Sequence, residues 1–322
     1  MGAPAPFPLF PRHGPFNPGR PCPPPPRTRT GPPRAPAPLP PQALHALLAD
    51  LMAPVADWGR VVLTVANGLA ELQSTLECAR GVADGIDVWH LRGERHAAWL
   101  SERGIARIEL VEPAAGNAEG DAAAVHLSWH DRLGRRIGRL MLPCPLGRDQ
   151  GLLWLRQHGH ARADACRRRL ATAPMPLMLV PHPGFTRVDT LARGPAAAAW
   201  ANAAMRHLDR AAELRLDLGS VGAAVHYTGT LGAALAVSDG YHATGPQCSL
   251  SLQARQATAV ARVVDRDGVS GLQFDDASGG RLLLHPQGAG AADWFKAVAA
   301  LASDLAQAPT DGADASTAPP GP

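Results

Sequence analysis

An internal repeat constrains this chain more than any other feature. A segment beginning at Leu127 (Leu-Ser-Trp-His-Asp-Arg-Leu-Gly-Arg-Arg-Ile) returns at Leu272 as Leu-Gln-Phe-Asp-Asp-Ala-Ser-Gly-Gly-Arg-Leu, 145 residues later. Leucine, an aromatic ring, aspartate, glycine, arginine and an aliphatic residue recur in register, and a helix-like run follows each copy. Self-similarity at a fixed spacing implies a duplicated structural unit. At 322 residues the chain has enough length for two such units with real cores.

The local pattern inside each copy is mostly that of strands. Val61-Val62-Leu63-Thr64-Val65 is a β-branched run ended by Asn67-Gly68, a strand followed by a turn. Further strands are expected near 71–77, 86–92, 105–111, 123–130 and 135–142. In the second copy they are expected near 221–227, 231–237, 247–253, 258–264, 269–275 and 280–285. Helical spacing is seen in Leu44, Leu47, Leu48 and Leu51, closed by Pro54, and again over 151–159, 196–214 and 291–306. The expected class is α+β: a tandem duplication of a mainly antiparallel β-sheet domain with flanking helices. The expected organisation is a Pro-rich tail over 1–41, a first repeat over 42–160, a join over 161–195, a second repeat over 196–307 and a tail over 308–322. The Pro-rich tail, with Pro23-Pro24-Pro25-Pro26, lacks the donors that helix or sheet requires.

Asp131 and Asp276 each stand three residues before a glycine, Gly134 and Gly279. An aspartate that accepts from backbone two residues on, with glycine supplying positive φ, makes a tight hairpin. These residues are read as structural.

Several function classes are excluded by what the sequence lacks. The net charge is only +3, with no concentrated basic stripe of the kind a nucleic-acid surface needs. The five cysteines are scattered without C-x-x-C spacing, so neither a zinc site nor a disulfide framework is indicated. No apolar run is long enough to span a bilayer and no secretory signal is evident, so a cytoplasmic location is expected. There is no G-x-G-x-x-G after a strand, no G-x-S-x-G elbow and no H-E-x-x-H helix.

Several segments, in order, resemble the HemS-type hemin-degrading and hemin-trafficking proteins. Val221-Gly222-Ala223-Ala224-Val225-His226-Tyr227-Thr228-Gly229 is similar to that family's Val-Gly-Asn … His-Thr-Gly strand. Cys248-Ser249-Leu250-Ser251-Leu252 stands where the family has Asn-Leu-His-Leu, and Gly268 to Asp275 resembles Gly-x-x-Thr-Ser-Leu-x-x-Phe-Asp. In the first copy, Ile86-Asp87-Val88-Trp89-His90-Leu91-Arg92, followed by Trp99, is similar to Ile-Asp-Leu-Arg and its downstream tryptophan. The family's Trp-Val-Val-Arg-Lys-Pro is reduced here to Ala261-Arg262-Val263-Val264-Asp265.

The resemblance implies a protein that binds heme (iron protoporphyrin IX) and accepts imported hemin for trafficking or oxidative degradation. Its implied partners are hemin, a heme importer and a downstream heme oxygenase. Whether the chain is an enzyme stays open. If it is one, Arg92 is the catalytic residue, at the position of the family's distal arginine. The implied axial ligand is His207, seven residues after Trp200 as in the family's Trp-x6-His helix, with His158 and His160 as alternatives. Arg206 and Arg210 flank it as propionate partners, His90 lies on the strand face of Arg92, and His226 occupies the family's strand histidine. The competing reading is a duplicated β-rich scaffold that has lost heme binding and acts by protein interaction.

Overall fold

The computed structural model describes residues 42–44, 61–76, 80–83, 88–93, 95–101, 104–111, 126–141 and 185–307. All of them belong to one compact unit, Ala37–Pro322.

Eighteen described strands form two antiparallel sheets of nine. The first-copy strands are β1 (Gln42–Leu44), β2 (Val61–Ala66), β3 (Ala70–Leu76), β4 (Arg80–Ala83), β5 (Val88–Arg92), β6 (His96–Ser101), β7 (Arg107–Val111), β8 (His126–His130) and β9 (Arg136–Met141). The second-copy strands are β10 (Phe185–Arg193), β11 (Glu213–Ser220), β12 (Ala223–Gly229), β13 (Leu235–Val237), β14 (Gly240–Thr244), β15 (Cys248–Leu252), β16 (Ala259–Asp265), β17 (Ser270–Asp275) and β18 (Arg281–Gln287). Helices α1 (Pro195–Arg206) and α2 (Ala291–Gln307) belong to the second copy.

The two sheets show how the copies are joined. Sheet A runs β1-β7-β8-β9-β2-β3-β15-β14-β13, and sheet B runs β10-β16-β17-β18-β11-β12-β6-β5-β4. Every position in sheet A is filled in sheet B by the strand nine places away in the numbering. The duplication is therefore complete at the level of topology. Each copy builds six strands of its own sheet and sends three across to the other. Cross-copy pairing runs through β15 on β3, with Leu250 opposite Leu72, and through β12 on β6, with Val225 opposite Ala98.

Strand alternation decides which face is buried. In β3, Ala70, Leu72, Ser74 and Leu76 point into the core while Glu71, Gln73 and Thr75 alternate outward. In sheet B the inner face carries Leu214, Leu216 and Leu218 of β11, Val225 and Tyr227 of β12, Leu272 and Phe274 of β17, and Leu282 and Leu284 of β18. Helices α1 and α2 pack on each other and join that inner core through Ala197, Ala201, Ala204, Trp294, Val298 and Ala302. The two α2 spacings of four place Trp294, Val298 and Ala302 on one stripe. Trp129 and Phe274, the aromatic pair of the sequence repeat, are both fully buried.

The repeated hairpins behave as their sequence implies. Gly134 and Gly279 have φ of 75° and 83°. Asp131 Oδ1 accepts from the backbone N–H of Leu133 and Arg135, and Asp276 Oδ1 from those of Ser278 and Gly280. Asp276 also accepts from Gly68 N–H at 2.6 Å through Oδ2, tying the β2–β3 turn of one copy to the β17–β18 turn of the other. A second tie is the contact of Gly104 with Gly222, where the backbones approach so closely that neither residue has room for a Cβ.

Several local expectations differ from the structure. Gln42–Leu44 pairs as a strand with β7 rather than starting a helix. Helix α1 ends at Arg206, and residues 213–220, expected in part as helix, form β11. Here the strict alternation Glu213-Leu214-Arg215-Leu216-Asp217-Leu218 outweighs helical continuation. The stretch read as a join contributes β10, and β4, β6 and β14 are additional strands. The expected helix over 151–159 lies outside the described residues, as do the tails.

Candidate functional site

The alternation in β11 that buries Leu214, Leu216 and Leu218 turns Glu213, Arg215 and Asp217 to the outer face of sheet B. Register sets Asp217 opposite His226 and Arg215 opposite Thr228 on β12. His226 in turn sits opposite Ala97 on β6, and Ala97 opposite Arg92 on β5. One cross-strand row therefore runs Asp217, His226, Ala97, Arg92, through strands of both copies.

On that row is a chain of polar contacts. His226 Nδ1 donates to Asp217 Oδ1, and Arg215 Nε donates to Asp217 Oδ2 at 3.0 Å. Both carboxylate oxygens are thus engaged, which compensates a side chain that is only 2% exposed. On the other edge of the imidazole, Nε2 lies 3.1 Å from Thr228 Oγ1. A carboxylate only accepts, so the proton of the neutral ring is on Nδ1 and the Thr228 hydroxyl donates to Nε2.

This histidine faces a cavity of about 410 Å³ lined by His90, Arg95, Trp99, Glu213, His226 and Thr228, together with His96, Ala97 and Gly93. His90 stacks on Trp99 with ring centroids 4.8 Å apart and planes 18° from parallel, making a flat aromatic wall. Arg95 is exposed at the rim. At the inner edge, His96 Nε2 meets Gln247 Oε1 at 3.2 Å and its ring tilts against Tyr227. Burial holds the His96 pKa below its usual value, partly offset by Gln247.

Of the residues singled out from sequence, His226 and His90 line this cavity, and the backbone of Arg92 lies on the His226 row. His207 follows the last residue of α1, on the inner, helix-covered side of sheet B, and does not line the cavity. Its Nδ1 is buried without a hydrogen-bond partner, and burial, then Arg210, lower its pKa. Arg206 is exposed, with Nε 3.5 Å from the Tyr241 hydroxyl, and Arg210 ends an exposed turn beyond it. His158 and His160 lie outside the described residues. Asp217, Arg215, Thr228, Arg95 and Glu213 were not anticipated. The alternation over 213–218 carries the signal for the β11 members, since it sets Asp217 and Arg215 on one face.

A second cavity of about 540 Å³ lies on sheet A, lined by Glu71, His130, Arg136, Ser251 and Gln253 among others. Arg136 Nη2 and Glu71 Oε2 close an ion pair there at 2.8 Å. Among the described residues, no group of three or more His, Cys, Asp or Glu is arranged to hold a bare metal ion. No described helix is long and apolar enough to cross a membrane.

The fold has solved counterparts. The structure of ChuS, an E. coli heme oxygenase, superposes with a TM-score of 0.56 over 81% of this chain and 88% of that one, at 14% identity. Apo-PhuS, a heme-binding protein from Pseudomonas aeruginosa, gives a TM-score of 0.55 over 81% and 87%, at 12% identity. Holo-PhuS gives 0.54 over 81% and 86%, at 13% identity. No protein-family model and no curated protein sequence matches the chain. In fold, this chain is like the HemS-type proteins ChuS and PhuS, with their duplicated antiparallel β architecture.

Proposed function

We propose that this protein binds heme and either delivers hemin or opens its ring oxidatively. The observation that supports this most directly is the outer-face cavity of sheet B. Its volume, about 410 Å³, is within the roughly 300–1,000 Å³ of cofactor sites. Its lining combines a flat His90–Trp99 wall, a rim guanidinium and an imidazole with one nitrogen already fixed by a carboxylate. These residues fit a porphyrin: ring faces for the macrocycle, a cation for propionates, and neutral imidazole for iron.

When bound, the heme iron would supply the redox chemistry, with electrons from an external reductant. The side chains have simpler tasks. The His90–Trp99 pair offers ring area to the macrocycle, and Arg95 at the rim offers a donor to a propionate. Arg92, carried on the row of His226 by β5, is assigned the distal role of donating to a polar group near the iron. Two imidazoles, His207 and His226, compete for axial ligation. A heme importer and a downstream heme oxygenase are the proposed partners, in the cytoplasm.

The test is a hemin titration of the full chain followed by Soret absorbance, in wild type and in Arg92→Ala. A saturable band with one-to-one stoichiometry supports the reading. Weak, unsaturable binding indistinguishable from that of a non-heme protein defeats it, and the scaffold reading then takes over. Band loss on adding ascorbate in air identifies an enzyme. A stable band that moves to an apo acceptor identifies a carrier.

A further inference from the structure

We propose that the axial ligand is His226, positioned by Asp217, an inference that rests on the heme-binding reading above. Three observations carry it.

The first is the protonation geometry. A histidine that ligates metal through one nitrogen commonly donates its other N–H to a carboxylate, which fixes the tautomer and strengthens the donor. His226 has that arrangement already: Nδ1 donates to Asp217 Oδ1, while Arg215 Nε occupies Oδ2. The lone pair is therefore on Nε2, on the cavity side, engaged only by the rotatable hydroxyl of Thr228. His207, in contrast, has no partner for its buried Nδ1 and does not line the cavity.

The second is an internal control supplied by the duplication. Leu218 opposite Val225 in sheet B corresponds to Val65 opposite Leu72 in sheet A. Counting from that pair, the sheet A equivalents of Asp217 and His226 are Thr64 and Gln73, paired with each other. Those of Arg215 and Thr228 are Val62 and Thr75, again paired. The fold thus forms the same two central strands without any ion pair at these positions. A buried carboxylate carries a desolvation penalty of several kcal/mol. Its presence in one copy alone indicates a requirement other than folding.

The third is the company His226 keeps. The exchange of strands brings β5 and β6 of the first copy beside β12, so His90, Trp99 and the backbone of Arg92 meet His226 only because the sheet is shared. The cavity exists at the seam between copies.

The experiment compares hemin binding to wild type, His226→Ala, His207→Ala and Asp217→Asn in the full chain, with circular dichroism to verify folding. His226→Ala is expected to shift the Soret band to that of hemin lacking a protein ligand, and added imidazole is expected to restore it. Asp217→Asn keeps the side-chain shape and should weaken binding about 10- to 100-fold. It should also lower the iron–imidazole stretching frequency of the ferrous form, a signature that loss of mere packing does not produce. His207→Ala should match wild type in all three readouts. If His207→Ala loses the ligated band and His226→Ala keeps it, the assignment to His226 is overturned while heme binding stands. An unchanged stretching frequency in Asp217→Asn overturns the positioning role. Absence of saturable binding in wild type overturns both this inference and the reading beneath it.

Discussion

Asp276→Ala tests how the two copies are held together, and Asp131→Ala serves as its control. Both aspartates are nearly buried, at 6% and 4% exposure, and both organise the same hairpin. They differ in what the carboxylate reaches. Asp131 accepts from Leu133 and Arg135, whose backbone is exposed and finds water when the side chain is removed. Its ion pair with the half-exposed Arg135 contributes little. Asp276 accepts from the buried Gly280 N–H at 2.8 Å and from Gly68 N–H of the other copy at 2.6 Å. A buried donor left unpaired costs about 1–3 kcal/mol, and a hydrogen bond to a charged group contributes about 1.5–3 kcal/mol. Asp276→Ala should therefore cost about 3–5 kcal/mol, against about 1–2 kcal/mol for Asp131→Ala. With a urea slope of about 2–3 kcal/mol/M, the Asp276 midpoint should fall about 1–2 M, well below that of the control. Equilibrium urea unfolding followed by tryptophan fluorescence measures both. If the two variants unfold within about 0.5 kcal/mol of one another, the inter-copy bond and the buried Gly280 N–H contribute nothing, and the reasoning fails.

Three further outcomes follow from the same structure. Thr228→Val removes the hydroxyl that competes for His226 Nε2 and should tighten hemin binding about 2- to 10-fold, the equivalent of a net hydrogen bond; weaker binding in a Soret titration would count against Nε2 as the ligand. His285 is 2% exposed and burial lowers its pKa, so the folded state holds it neutral. Stability is then complete above the unfolded value near 6.5 and declines as pH falls from there toward the lower folded pKa, with a slope of about 1.4 kcal/mol for each step of one in pH. His285→Gln should flatten that decline between pH 7.5 and 5 in urea midpoints, and an unchanged slope would contradict it. Burial also pushes the Cys248 thiol up to about 12, so peptide mapping after alkylation at pH 8 should find it unmodified in the native protein and labelled in urea.

Much of the fold was legible locally. The echo of Leu127 to Ile137 at Leu272 to Leu282 maps onto β8–β9 and β17–β18, because paired hairpins with Asp-x-x-Gly turns are specified by neighbours in sequence. The candidate site was legible only in pieces. His226 and His90 stood on strands that the apolar alternation marks, but Asp217 was hidden in a segment expected to end a helix. The Trp200-to-His207 spacing matched a motif, yet α1 packs on the inner face of sheet B, where its alanines meet Leu216 and Phe274.

The sequence by itself determined the duplication, the strand-rich composition of each copy and the turns, since each depends on contacts a few residues apart. Tertiary structure decided which strands share a sheet. Antiparallel pairing of β15 with β3 and of β6 with β12 joins segments more than a hundred residues apart, and their alternating patterns fit either their own copy or the other. Only closure of the two nine-stranded sheets selects the exchange. That selection places His226, Asp217, His90 and Trp99 around one cavity, with the backbone of Arg92 on the His226 row.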